Sequence, residues 1–399
     1  MPGKNSHYRK KIIRKFYFQN MLSCSDISER IEKSVPLTTR MLNELVSEGF
    51  IVEAGLAPST GGRKPLIYSL KPDIMYIMSV AMDQFVTSIG IMDLQNNFVT
   101  PVVKFDLSLS ETPDALDILS ENINALIERS SISKTAITGI GMPGFIDIEK
   151  GINYSFFNSK DRSITQYLED RVDLPVFIDN DSSLIALAEL RFGAGKNKKN
   201  AMVINIGWGI GLGLIMNSGL FRGNNGFAGE FSHIPLFSNG KICSCGKSGC
   251  LETEASLAVV AEKARLGVAE GKISSLKEVS ANYETASDEI ISAAIRGDKY
   301  SIELLSSAGY SIGRGAAILI HVLNPEAIIL SGRGSSAGKL WQAPVQQAIN
   351  EHCIPRLAEK TVIEISSLGQ HAEMIGAAAL VIENYEKSES KTNCVNELL

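Results

Sequence analysis

The stretch Gly229–Glu252, "GEFSHIPLFSNGKICSCGKSGCLE", places Cys243, Cys245 and Cys250 within eight residues, and His233 ten residues before the first of them. Three thiolates and an imidazole make a closed four-ligand set of the kind that holds structural zinc, with no open position for chemistry at the metal. A disulfide between cysteines one residue apart would be strained, which weakens a redox role. Buried structural thiols are the alternative. Cys24, Cys353 and Cys394 are scattered and read as core or incidental thiols.

Such a loop needs a frame to hold it. The chain has 399 residues, enough for two or three domains and a large core. No apolar run approaches the roughly 18 residues that span a bilayer. The opening "MPGKNSHYRKK" lacks the apolar stretch of a signal peptide. A cytoplasmic protein with no membrane partner is therefore expected, and six cysteines in such a chain do not read as a disulfide framework. Net charge is −5, but residues 1–70 hold eleven Lys and Arg against six Asp and Glu, a net of +5. A small basic front on an acidic body suggests a separate nucleic-acid-binding head.

The front reads as three short helices. "RKKIIRKFYFQN" spaces Ile12, Ile13, Phe16 and Tyr17 helically, and "CSDISERIEKS" follows with Ser25 or Asp26 as cap. "VPLTTRMLNELVSEGFI" starts at Pro36, turns Leu37, Met41, Leu42 and Leu45 inward, and ends at Gly49. Three helices with tight turns form a helix-turn-helix, whose third helix would present Thr38, Thr39 and Arg40 to DNA. "FIVEAGLAPSTGGRKPLIYSL" then reads as two strands and a loop, the wing of a winged helix, with Arg63 and Lys64 at its tip for a phosphate strand or a narrow minor groove. A helical bundle used for protein contacts is the competing reading of this head.

Behind it, "IMYIMSVAMDQFVTSIGIMDLQNNFVTPVVKF" reads as three antiparallel strands. A helix follows at "DALDILSENINALIERS", then strands at "AITGIGMPGFID" and "PVFIDND" and a helix at "SSLIALAELRFGAG". A second set opens at "NAMVINIGWGIGLGLIMNSGLFRG" and later gives "AIILSGRGSSAG". Strand-rich openings followed by alternating helices, twice over, predict two related α/β lobes with a cleft between them. The expected layout is a head at 1–72, a body at 73–386 with lobes at about 73–195 and 196–370 and the last helix back on the first lobe, and a loose tail at 387–399.

In order and near-spacing, "GMPG", "DND…ALAE", "IGWGIGLG", "GEFSH" and "CSCGKSGCLE" resemble the ROK family of repressors, open-reading-frame products and sugar kinases. With a winged helix in front, the chain resembles its regulator branch. The resemblance implies a two-lobed actin-like, hexokinase-like body. It implies that His233 both ligates zinc and borders a sugar, although Ser232 replaces the glycine of the family's Glu-x-Gly-His motif. It also implies sugar contacts at Gly144, Asn158, Asn180, Asp181, Glu230, His233 and Glu252, with Asp181 at the position of the kinases' catalytic base. A lone "DND" before a helix is a capping motif; beside the other motifs it reads as a sugar site, because carboxylates and amides preorganise the donors and acceptors that hydroxyls need.

The kinase pattern fails where ATP would bind. The family's first phosphate loop reads Asp-x-Gly-Gly-Thr. It falls here on Ala81–Phe85, "AMDQF", with no glycine and a bulky Phe85. The second loop, Gly207-Trp208-Gly209-Ile210-Gly211, keeps its glycines but has Trp208 for a phosphate-facing threonine. Phosphoryl transfer depends on positioning phosphates and Mg²⁺. The expectation is therefore a dimeric or tetrameric repressor that senses a sugar or sugar phosphate, with structural zinc and operator DNA as partners, and Asp181 a vestigial base. The runner-up is a sugar kinase with a fused DNA-binding head.

Overall fold

The computed structural model describes residues 3–384 except 58–63, 131, 133–134, 158–162 and 239. The wing-tip Arg63, the sugar-contact candidate Asn158 and the tail at 387–399 lie outside the described residues.

Helix α1 (Gly3–Gln19) begins earlier than the periodicity indicated and buries Ile12, Ile13, Phe16 and Tyr17. A short strand not expected from the hydrophobic spacing, β1 (Met21–Ser23), leads into α2 (Cys24–Arg30). The cap of α2 is Ser23, not Ser25 or Asp26. The Ser23 hydroxyl accepts from the Asp26 N–H, and the Asp26 carboxylate accepts from the Ser23 N–H at 2.8 Å. This reciprocal pair satisfies two orphan donors of the helix start. Helix α3 (Val35–Ser47) has Pro36 in its first turn, buries Met41, Leu42 and Leu45, and is followed by Gly49 at φ 79°. Thr38 corrects a second expectation. It is fully buried and its hydroxyl donates to the Ser34 carbonyl at 3.1 Å, so Thr39 and Arg40 face outward and Thr38 does not. Strands β2 (Ile51–Leu56) and β3 (Leu66–Leu70) complete an antiparallel sheet of order β1-β3-β2.

Two compact units make up the chain, Met1–Asp179 with Ala377–Leu399, and Asn180–Gly376. The first holds the head and β4 (Tyr76–Met82), β5 (Val86–Met92), β6 (Val103–Asp106), α4 (Ala115–Ser130), β7 (Thr135–Met142), β8 (Ile146–Asp147), β9 (Ile152–Asn153), α5 (Ile164–Val172) and most of β10 (Val176–Asn180). Its sheet order is β10-β7-β4-β5-β6, antiparallel from β4 to β6 and parallel between β4 and β7. Val80, Ile89, Ile91, Leu119, Ile123 and Ile140 form the centre of its core. The buried Tyr17 hydroxyl of α1 donates to the Asn96 side chain in the turn after β5, so the head is hydrogen-bonded to this sheet.

The second unit begins with α6 (Asp181–Phe192), β11 (Ala201–Ile206), β12 (Ile210–Met216), β13 (Gly219–Phe221), α7 (Glu252–Ala255), α8 (Leu257–Ala269) and α9 (Tyr283–Ile295). It continues through α10 (Lys299–Leu323), β14 (Ala327–Ser331), α11 (Gln342–His352), α12 (Pro355–Ala358), β15 (Val362–Ile365) and the start of α13 (Ala372–Asn384). Its order, β13-β12-β11-β14-β15, repeats the antiparallel-then-parallel scheme of the first sheet. The second unit begins at Asn180, before the lobe boundary expected near 195, because α6 packs on β11 and β12. A Cβ at Gly213 of β12 would stand 2.2 Å from the Ala186 Cβ and 2.6 Å from the Ser182 carbonyl oxygen, so glycine lets helix and strand close up. In the first unit, Gly139 of β7 plays the same part against the end of α13, where a Cβ would meet the Ala377 carbonyl oxygen at 2.2 Å.

Candidate functional site

After β13 the chain makes a short turn of 3₁₀ helix over Phe231–His233, then the cysteine loop. Bridges Pro235↔Cys250 and Ile242↔Ser248 fold that loop back on itself. The Cys243 N–H donates to the Lys247 carbonyl at 2.8 Å and the Gly246 N–H to the Cys243 carbonyl at 2.9 Å. Gly249, at φ 77°, cannot carry a side chain, since a Cβ would stand 1.9 Å from the Phe237 carbonyl oxygen. These turns gather the ligand atoms of His233, Cys243, Cys245 and Cys250 within 4.8 Å of one another.

The cluster has the dimensions of a metal site. Two sulfurs on a tetrahedral zinc, with bonds of about 2.3 Å, lie about 3.8 Å apart. Cys245 and Cys250 Sγ are 3.6 Å apart, and His233 Nδ1 is 3.4 Å from Cys243 Sγ. Burial first, and then the neighbouring sulfurs, pushes the Cys250 thiol up to about 12. The Lys247 N–H, chief among its hydrogen bonds, holds Cys245 below the usual thiol value. Thiols this close cannot all ionise unless a cation takes the place of their protons. If zinc is held, it supplies rigidity to the loop and no reacting position.

Of the candidate sugar contacts, Asn180, Asp181, Glu230, His233 and Glu252 belong to the second unit. His233 turns Nδ1 toward Cys243 and Nε2 toward Glu230, whose Oε2 is 3.7 Å away. Burial, opposed by His233 and reinforced by Glu252, raises the Glu230 carboxyl above its ordinary value. Glu252, two residues after Cys250, opens α7 and reaches the glycine loop, where a Cβ at Gly209 would stand 2.8 Å from its Oε2. Asn180 is the N-cap of α6, its Oδ1 accepting from the N–H groups of Ser182 at 3.0 Å and Ser183 at 3.1 Å. Asp181 Oδ1 accepts from the Ser182 N–H at 2.7 Å, and its Oδ2 lies 3.4 Å from Asn205 Nδ2. Sequence reasoning missed Asn205, whose one signal was a polar side chain in an otherwise apolar strand.

Gly144 belongs to the first unit. Its φ of 97° and a Cβ position 2.6 Å from the Ser155 side chain both require glycine. The buried Asn153, also missed, holds this loop: its amide donates to the Pro143 carbonyl at 2.9 Å and accepts from the Ser155 N–H at 2.9 Å.

The two expected phosphate loops differ in kind. Asp83–Phe85 is the tight turn between β4 and β5, closed by the Asp83 carboxylate accepting from the N–H groups of Phe85 and Val86, both at 2.7 Å. The Asp83 carboxylate thus already accepts from two N–H groups of this turn. In the other loop the Gly207 N–H donates to the Gly209 carbonyl at 3.0 Å. Trp208 is buried there, packed against Tyr283 and beneath the Arg333 guanidinium, 5.4 Å from its ring centre.

The ROK family model matches residues 100–384. A xylose repressor of Caldicellulosiruptor bescii is 31% identical over 389 residues, 94% of each chain. A glucokinase of Halalkalibacterium halodurans is 34% identical over 313 residues, 77% of this chain and 93% of its own. The crystal structure of a ROK family transcriptional regulator, a homologue of the Escherichia coli MLC protein, superposes with a TM-score of 0.76 at 25% identity, over 95% of this chain and 97% of that one. Fold and site define a protein with a two-lobed, actin-like and hexokinase-like α/β body behind an N-terminal helix-turn-helix region. The chain belongs to the ROK family. No helix among the described residues is long and apolar enough to cross a membrane.

Proposed function

We propose that this protein is a sugar-responsive transcriptional repressor, which binds operator DNA and a sugar or sugar phosphate without phosphorylating the sugar. Coverage carries the reading. The repressor and regulator matches extend over 94% and 95% of the chain, head included, whereas the glucokinase match takes in 77%. DNA binding is assigned to residues 1–72, through Thr39, Arg40, Lys64 and Arg63. Effector binding is assigned to residues 73–386, through Gly144, Asn158, Asn180, Asp181, Glu230, His233 and Glu252. Zinc is assigned to His233, Cys243, Cys245 and Cys250, where it fixes the loop between Glu230 and Glu252. A cytoplasmic homodimer or homotetramer would hold two heads at operator half-site spacing. Sugar and operator then bias one another's binding reciprocally, typically by about 1–3 kcal/mol.

A sugar kinase with a fused head is the second reading, favoured by the 34% identity to a glucokinase and by Gly207, Gly209 and Gly211. The Asp83 turn speaks against it, since its N–H groups are already taken. The test is operator binding by the full chain with and without a panel of sugars and sugar 6-phosphates, alongside an ATP phosphorylation assay on the same panel. Operator release by one sugar without its phosphorylation is expected. Steady phosphorylation abolished by Asp181→Asn would establish the kinase.

A further inference from the structure

Asn205 lies near the end of β11, two residues before the Gly207 turn. Its Nδ2 is 3.1 Å from Ser182 Oγ and 3.4 Å from Asp181 Oδ2. The other carboxylate oxygen, Oδ1, accepts from the Ser182 N–H at 2.7 Å and from the Ser182 hydroxyl at 3.3 Å. Asn205 and Ser182 thus hold the two oxygens of Asp181 from two different elements, β11 and α6.

The opposite end of the Asn205 amide is equally confined. A Cβ at Gly332, the residue after β14, would stand 2.1 Å from Asn205 Oδ1, and Gly332 has φ 76°. The backbone beyond β14 is therefore kept bare of a side chain where the amide sits. The amide has one sensible orientation. Flipping it would set its oxygen against the Asp181 carboxylate, two acceptors face to face. An aspartate at 205 would meet Asp181 as a like charge, and a leucine would leave Oδ2 without this donor.

We infer that Asn205 is a positioning residue for the sugar site: its amide fixes the Asp181 carboxylate in the orientation that receives a sugar hydroxyl. The inference rests on the sugar-binding reading above. It adds the element that decides where the carboxylate points, because a side chain at a helix start otherwise chooses among rotamers.

The test is calorimetric titration of the full-length wild-type, Asn205→Leu and Asn205→Asp proteins with D-xylose, D-glucose, N-acetyl-D-glucosamine and the 6-phosphates of the last two. Asn205→Leu should bind the wild type's sugar roughly tenfold more weakly, with unchanged zinc content, because Asp181 is no longer held in one orientation. Asn205→Asp should bind weakly near about pH 8 and recover toward about pH 5, as one of two facing carboxylates takes up a proton. A purely structural residue would not give that pH profile. Wild-type affinity and pH profile in both variants would overturn the inference while leaving the sugar reading intact. A wild-type chain that binds none of the five compounds would overturn the sugar reading and this inference together. If Asn205→Leu does not fold, the pH profile of Asn205→Asp decides.

Discussion

His233 Nε2 stands 3.7 Å from Glu230 Oε2, while the same ring turns Nδ1 to Cys243 Sγ at 3.4 Å. One imidazole thus joins the cysteine cluster to the carboxylates of the proposed sugar site. A metal-bound histidine that offers its second nitrogen to a carboxylate has its ring orientation fixed by both. A metal held by the cluster would orient Glu230 through this ring without touching a substrate.

Zinc removal should therefore cost sugar affinity as well as local order. Elemental analysis of the reduced protein should give one zinc per chain, and Cys245→Ser should lose it. Ligand thiols and imidazole must shed protons to bind, so acid should release the metal. Protein purified free of chelators that contains no metal would sink the assignment.

Arg40 is the outward cation of α3 and makes an exposed pair with Glu44 at 3.6 Å. Arg40→Ala should leave stability within about 0.5 kcal/mol. It should weaken operator binding and reduce the slope of log affinity against log salt by about one. Arg63→Ala should likewise weaken operator binding and reduce the salt slope. An isolated body that binds the operator as tightly as the full chain would defeat the head assignment.

Asp181→Asn separates a sensor from a kinase. Losing one charged hydrogen bond to a sugar hydroxyl should cost about 1.5–3 kcal/mol of affinity. ATP should give no calorimetric signal, with or without sugar, because the Asp83 carboxylate holds the N–H groups of Phe85 and Val86.

Asp298 predicts a pH dependence of stability. It is the N-cap of the longest helix, α10, and accepts from the Ser275 N–H at 2.5 Å, the Ser301 N–H at 2.8 Å and the Ser274 hydroxyl at 3.0 Å. Burial pushes its carboxyl up, but these hydrogen bonds together pull it well below the usual carboxylate range. A carboxyl depressed in the folded state stabilises above its unfolded value of about 3.9, and that contribution fades as pH falls toward the folded value. Asp298→Ala should cost about 1 kcal/mol near neutrality by loss of the cap. Urea titrations at about pH 7 and about pH 3 should show the gap to wild type narrowing in acid; a constant gap would refute it.

Much of this protein was legible in one dimension. Hydrophobic spacing gave the three head helices and the doubled α/β body, because helix and strand periods are local properties. The cysteine spacing pointed to a set able to hold a metal, since three of its four members sit on one short loop. The departures from the kinase pattern were visible as missing glycines at Ala81–Phe85 and as Trp208 in place of a threonine. What the sequence could not decide depended on which side chains meet across elements. Thr38 looks polar and outward beside Thr39, yet the packing of α3 buries it and its hydroxyl returns to Ser34. Ser23, not Ser25 or Asp26, caps α2, because the short strand β1 sets where the helix begins. Asn205 and Asp181 are 24 residues apart, and only the alignment of β11 with the start of α6 brings amide to carboxylate. A residue's type is fixed by the chain, but the partner that defines its chemistry is chosen by packing.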